Sequence, residues 1–375
     1  MRIVHQMQRQ WSRITGVVSL LLSHPDKLPR NVLLILKLIW YTRILSRDLI
    51  VLFRPWGVGD VTCLLSCIPG LRRQYTNSWV VAITPLGCWR LVGSSGLVDA
   101  AADTDSFFHN VVKRACAPSL YFTLTYPEGR VPEQAQTLHI ADEFGRALGV
   151  EADMSCVHLR PVARACRRVM QRLSVVNPHG NPIVVFHSGV TWPVREWPNQ
   201  SWCELAELIA SHSQAVMIRI GTNVESNGRV RELEPIPRTI DWTNQLDVME
   251  TAALLAAANA LVGVDSGPLH VAGALGRFSV ALFGPTSGHL RIHPNAPVAL
   301  ITADLSCLGC HHSSAGHLHW KTGCPYDILC MRQISAKRVF EAVAPYLGRS
   351  KPPRMVSADG LPQRWEYNPV TSTFR

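Results

Sequence analysis

The chain has 375 residues, 47% hydrophobic and 17% charged, with 37 basic against 27 acidic side chains and a formal net charge of +10. That length suits two domains, each able to bury its own core, and the composition is that of an ordinary globular protein, not a disordered one. The positive balance favours anionic partners (nucleotides, phosphorylated sugars, anionic lipid or nucleic acid) without choosing among them.

Eleven cysteines are present. Seven stand singly among apolar neighbours: Cys63, Cys67, Cys88, Cys116, Cys156, Cys166 and Cys203. That is the pattern of reduced core thiols. With no A-x-A-like cleavage signal, a secreted disulfide framework is not expected, and the compartment reads as cytoplasmic. No run of about 18 apolar residues predicts a transmembrane helix.

Residues 1–48 form a basic extension. Arg2, Arg9, Arg13, Lys27, Arg30, Lys37, Arg43 and Arg47 alternate with apolar clusters, and Pro25 and Pro29 divide the segment into two predicted helices. Two readings stay open: a helical hairpin packed on the first domain, or helices lying peripherally on an anionic membrane surface.

Beyond it, short apolar strands alternate with helical patterns. Strands are predicted at 49–53, 79–84 and 120–125, and helices at 61–75 and 133–148, the latter closed by Gly149. Residues 160–180, basic and bearing Pro161, Pro178 and Gly180, read as a connection. A second alternation follows, with strands at 183–186, 215–220, 260–264 and 279–283. Its helices fall at 202–211, with Ser201 as N-cap, at 246–259 and at 266–275. Two consecutive α/β alternations predict two doubly wound domains facing a central cleft. The expected division is 49–165, 180–347 and an irregular tail at 348–375.

The most informative segment is 262–285, VGVDSGPLHVAGALGRFSVALFGP. It reads as strand, acidic tip, helix, glycine stop, strand and turn. Asp265 falls where a strand ends and a helix begins. Ser266 and Gly267 occupy the first helical turn, where free N–H groups and the positive helix end suit a diphosphate. His270 lies one turn further along the same face.

This segment resembles the donor-binding signature of glycosyltransferase family 9, the heptosyltransferases. The family's Asp-[Ser/Thr]-Gly-x-x-His element precedes a strand ending Phe-Gly-Pro-Thr, here Phe283, Gly284, Pro285 and Thr286. Two other segments match in order. In RPWGVGD, residues 54–60, the resemblance makes Asp60 the general base; the reading of Asp60 as a helix N-cap is the alternative. In 187–206 the family's phosphate-facing lysine is replaced by Arg195, two residues before Trp197, and arginine is not equivalent to lysine at such a site. Ser188, Gly189 and Thr191 share that loop. Glu225 is the candidate for bonding the nucleoside. The resemblance spans about residues 49–347 and implies a GT-B fold of two Rossmann-like domains, 49–165 for acceptor and 180–347 for donor.

Cys307, Cys310, Cys324 and Cys330 crowd together, interleaved with His311, His312, His317 and His319. The C-x-x-C opening suits a structural zinc or iron. Reduced thiols or disulfides are the alternatives for this Cys-rich insertion at 307–330. No basic recognition helix follows it, so nucleic acid is not an expected partner. The triplet Asp103-Thr104-Asp105 sits too early to be a GT-A metal motif in such a chain. Ser266 with His270 lacks the strand-elbow context of a hydrolase.

The resemblance implies inverting transfer of a sugar, ADP-heptose leading as donor, to a lipid-linked glycan or a protein acceptor, with no catalytic metal. The expected location is cytoplasmic, with peripheral contact at the inner membrane face open. A nucleotide-sugar 2-epimerase-like enzyme and a catalytically degenerate sugar-nucleotide-binding protein are the rival readings.

Overall fold

The computed structural model describes residues 38 and 40–348, except 46, 56, 86, 104–111, 113–117, 125–137, 190, 191, 227, 228 and 313–322. Four strands, β1 (Asp48–Phe53), β2 (Ser78–Thr84), β3 (Ala100–Asp103) and β4 (Leu120–Thr123), form a parallel sheet in the order β3-β2-β1-β4. The second sheet begins with β5 (Ile183–His187) and β6 (Val216–Ile220). A short antiparallel ribbon, β7 (Val224–Ser226) and β8 (Arg229–Arg231), intervenes before β9 (Thr239–Asp241). With β10 (Ala260–Val264), β11 (Ser279–Phe283) and β12 (Val298–Thr302), the second sheet runs β12-β11-β10-β5-β6-β9, every pair parallel.

Both orders reverse beside their first strand, as in doubly wound folds. The strand sequences explain the layering. β2 (SWVVAIT) and β10 (ALVGV) are buried at every position, the mark of parallel strands covered by helices on both faces.

The expected single helix at 61–75 is instead α1 (Val58–Leu64), a 3₁₀ turn and α2 (Ile68–Gln74). Pro69 cannot supply an N–H to continue the helical ladder, and Ser66 Oγ donates to the Cys63 carbonyl at 2.6 Å. After α3 (Cys88–Ser94), α4 (Ile140–Leu148) begins late, its first turn capped by the His139 ring accepting from Ala141 N.

The connection at 160–180 is a structured element. It carries the 14-residue helix α5 (Ala163–Val176), which buries Ala165, Cys166, Val169 and Leu173. The helix predicted at 202–211 is α6 (Asn199–His212), capped by Pro198, so Ser201 lies inside its first turn and is not the cap. α7 (Val248–Ala257) opens with a capping box of Asp247 and Glu250. Arg168 joins α5 to Glu250 at 3.1 Å, and Arg172 lies 4.0 Å over the Trp242 ring.

α8 (Gly267–Ala274) follows β10, and its far end accepts from Leu159 N at Ala274 O, 3.2 Å away. One buried apolar cluster runs continuously from α1 and α4 through α5, α7 and α8. The short α9 (Leu329–Arg332), α10 (Ala336–Val343) and a 3₁₀ turn (Ala344–Tyr346) end the described chain. Among the described residues no helix is long and apolar enough to cross a membrane. Most of the basic extension, the tail from 349, and His317 and His319 lie outside the described residues, as do Cys116, Thr104 and Asp105.

Candidate active site

The first half contributes the turn after β1. Arg54 is fully buried; its Nη1 donates to the Leu124 carbonyl and its Nη2 to Asp60 Oδ2, each at 2.8 Å. Asp60 is therefore held in the first turn of α1 by a cation and does not act as the helix N-cap, a position taken by Gly57. Gly57 has φ +71°, and a Cβ there would lie 2.1 Å from Asp60 Oδ2. Glycine is required both by the backbone and by the carboxylate folded back beneath it.

The second half contributes loops at the carboxyl ends of β5, β10 and β11. β5 and β10 are neighbours at the reversal of strand order, where ligands of doubly wound sheets bind. Arg195, in a 3₁₀ turn with Pro193, donates from Nη1 to the carbonyl oxygen and Oδ2 of Asp265 at 3.1 and 3.2 Å. Burial opposes a charge on Asp265, but the His270 imidazole and the cations Arg195 and Arg291 outweigh it and hold the carboxyl well below the usual carboxylate range.

Ser266 is turned inward. Its Oγ is 2.9 Å from His187 Nδ1 and 3.0 Å from the Val264 carbonyl oxygen, while Pro268 at the second helical position has no N–H to offer. The serine hydroxyl is thus engaged within the protein, and the Gly267 N–H and the neighbouring arginines are the electropositive groups of this turn. Burial, then the Arg219 charge, push the His187 pKa down to about 4, so this ring is neutral.

Ser188 accepts a 3.1 Å bond from Nε of the buried Arg219, and Gly189 packs under Leu233. Thr191 and the Glu225 side chain lie outside the described residues, although the Glu225 backbone is part of β7.

The two halves meet at these turns. A Cβ on Gly59 would come within 2.4 Å of His270 Cδ2, and one on Gly267 within 3.0 Å of Val58 Cβ. His270 lies between them, with Nε2 3.9 Å from Asp265 Oδ1 and Nδ1 3.6 Å from Cys63 Sγ. Burial disfavours a charged ring, but Cys63 and Asp265 outweigh it and raise the His270 pKa to about 10. The structure therefore brings the Asp60 turn against the Asp265–His270 turn across the seam.

The sequence model of glycosyltransferase family 9 (heptosyltransferase) matches residues 129–320, just over half of the 375. The chain belongs to glycosyltransferase family 9. It is similar to lipopolysaccharide heptosyltransferase 1 of Pseudomonas aeruginosa, 33% identical over 141 residues that cover 37% of this chain and 39% of that protein. It is similar to lipopolysaccharide heptosyltransferase 2 of Escherichia coli K12, 34% identical over 113 residues that cover 28% of this chain and 32% of that protein. The matches thus span less than two-fifths of the length of these curated relatives.

Among solved structures it resembles a family 9 glycosyl transferase from Veillonella parvula, with TM-score 0.59, 16% identity, and 80% and 97% of the two chains covered. It also resembles the dodecameric iron-containing glycosyltransferase TibC from enterotoxigenic E. coli, with TM-score 0.58, 15% identity, and 80% and 76% covered. These likenesses establish the GT-B fold expected from the motifs.

Two features of this family 9 chain escape a linear reading. Arg54, the buried cation facing Asp60, is signalled only by an arginine ending an apolar strand six residues before the aspartate. Arg291, whose charge acts on Asp265, lies in the loop after Phe-Gly-Pro-Thr.

Cys307, Cys310, Cys324 and Cys330 border one cavity of about 260 Å³, together with Pro285, Tyr326 and Leu329. All four are free thiols. Burial, with the neighbouring thiols, pushes Cys330 up to about 11 and raises Cys310. Among the described residues no three His, Cys, Asp or Glu side chains are grouped to hold an ion. The isolated thiols are buried at Cys63, Cys67, Cys88 and Cys166 and half-buried at Cys156 and Cys203.

Proposed function

We propose that this chain transfers a heptose from ADP-heptose, with inversion, to a cell-envelope acceptor, either a lipid-linked glycan or a protein. The observation that carries the reading is the contact of two turns: the Asp60 turn of one half lies against the Asp265–His270 turn of the other. The heptosyltransferase relatives support heptose as the sugar. In this reading 49–165 is the acceptor domain and 180–347 the donor domain.

Asp60 takes the proton from the acceptor hydroxyl as its oxygen bonds to the anomeric carbon, and the bond from that carbon to the diphosphate breaks on the opposite face. A positioned base contributes roughly 10²–10⁴-fold. Negative charge gathers on the departing diphosphate, where Arg195, the Gly267 N–H and the turn of Ser188 and Gly189 face it; Thr191 is assigned the same role. Such fixed positive groups form the larger contribution. Asp265 aims Arg195, and Glu225 holds the nucleoside. The residues act without a metal in the reacting centre. The basic extension at 1–48 keeps the enzyme peripherally at the inner membrane face.

A structural zinc or iron belongs to the same reading. Four thiols facing one cavity are the right donors for such an ion, although as arranged they surround a site more than they close one. An ion held by Cys307, Cys310, Cys324 and Cys330 would fix the insertion.

The test is incubation of purified enzyme with ADP-heptose and cell-envelope acceptors, following ADP and the glycosylated product by mass spectrometry. ADP release that depends on acceptor is the expected result. Isomerised donor without release would replace transfer by epimerisation, and binding without either would leave a degenerate module.

A further inference from the structure

The Cys-rich insertion has a second face. Its backbone runs beside the turn that ends β11: Gly309 N donates to Gly284 O at 2.9 Å and His311 N to Pro285 O at 2.8 Å. Beneath that turn, a Cβ on Gly284 would lie 2.7 Å from both Cys330 Sγ and Met331 Sδ. Cys310 faces the thiol cavity. The His311 ring meets Trp192 edge-on at 5.0 Å, and Trp192 carries the Arg195 guanidinium at 5.2 Å. His312 lies 5.0 Å from His311. A continuous chain of contacts thus runs Asp265–Arg195–Trp192–His311–His312.

Three buried polar atoms around this chain have no hydrogen-bond partner: Arg195 Nε, Thr286 Oγ1 and His312 Nε2. Thr286 is 2% exposed. Each comes from a loop at the carboxyl edge of the second sheet. Leaving a buried polar atom without a partner is unfavourable, and three on loops joined by these contacts are the sign of a missing partner. The His312 backbone is fixed in the same turn, its N–H donating to Gly309 O at 2.9 Å.

We infer that His312 is a further donor-binding residue, contacting the diphosphate of the nucleotide sugar through Nε2 beside Oγ1 of Thr286, which ends the donor signature. The inference rests on the proposed function, since it assigns further contacts to the same site. It also gives the insertion a role: the turn that carries Cys310 into the thiol cavity carries His312 to the anion.

The experiment is calorimetric titration of ADP and of adenosine into the full chain and into H312A, H312Q and T286V. H312A should weaken ADP about tenfold, the loss of one hydrogen bond to a charged group, with adenosine affinity changed less than about twofold. H312Q, whose amide reaches the same place, should recover most of the loss, and this keeps the test decisive if H312A folds poorly. T286V should weaken ADP in the same direction. ADP affinity unchanged in H312A, or an equal loss for adenosine, overturns the inference and leaves the transferase reading intact. A parent chain that binds neither ADP nor ADP-heptose overturns both.

Discussion

Gly59 and His270 come from opposite halves of the chain and are packed so closely that a methyl group on Gly59 would lie 2.4 Å from the imidazole Cδ2. The ring cannot retreat easily, because its two nitrogens face Asp265 and Cys63. Gly59→Ala should therefore destabilise the closed arrangement. Overpacking costs about 1–3 kcal/mol, and the gain in helix propensity, about 1 kcal/mol, offsets only part of it. The urea midpoint should fall with unchanged slope. In an H270A background the same substitution should cost nothing, and a double-mutant cycle that shows no coupling would mean that the two turns separate freely.

Arg54 and Asp60 allow chemistry and stability to be separated. Asp60→Asn should reduce turnover by about 10²–10⁴-fold while ADP affinity changes less than about twofold. Arg54→Met removes the cation facing a buried carboxylate, a change that costs about 3–5 kcal/mol in buried pairs. Its signature is a lowered unfolding midpoint. Turnover by D60N close to that of the parent would remove Asp60 from the role of base.

These two cases show how far the linear chain can be read. Asp60 and Asp265 were legible because each follows an apolar strand and opens a helix, and the strand order places both at carboxyl edges. Arg54 was not, because an arginine closing a strand looks solvent-exposed until β4 supplies the Leu124 carbonyl as its partner. The inward turn of Ser266 was hidden for the same reason: His187 is its neighbour only across β5 and β10. The break at Pro69 was signalled by the proline, yet the apolar spacing on both sides imitates one helix. The helix within 160–180 was masked by its basic exposed face, since its buried positions are few and spaced for one side.

His187 predicts a pH dependence. Its pKa is depressed to about 4 by burial and by Arg219, whereas the unfolded chain has the ordinary value near 6.5. Between those values the unfolded state binds the proton and the native state does not, so native stability rises with pH through this window and is lost as pH falls from about 6.5 toward 4. The span corresponds to roughly 3 kcal/mol. His187→Asn, which can keep a bond to Ser266 Oγ, should flatten the stability profile in that interval. An unchanged slope from pH 6.5 to 4 in the variant would assign the acid sensitivity to other groups.

The thiol cluster yields a prediction that separates metal from packing. If Cys307, Cys310, Cys324 and Cys330 hold zinc or iron, enzyme purified without a histidine tag should contain about one equivalent by elemental analysis, and Cys324→Ser should lose it. Ion release should also lower the melting temperature, because an ion bound only by the folded chain stabilises it by mass action. Packing alone predicts another outcome. Cys330 is buried against Gly284, so Cys330→Ser would destabilise the β11 turn with or without an ion, whereas the half-buried Cys324 would tolerate serine. Chain free of both metals, with C324S as stable as the parent, would reduce the cluster to four reduced thiols around a cavity.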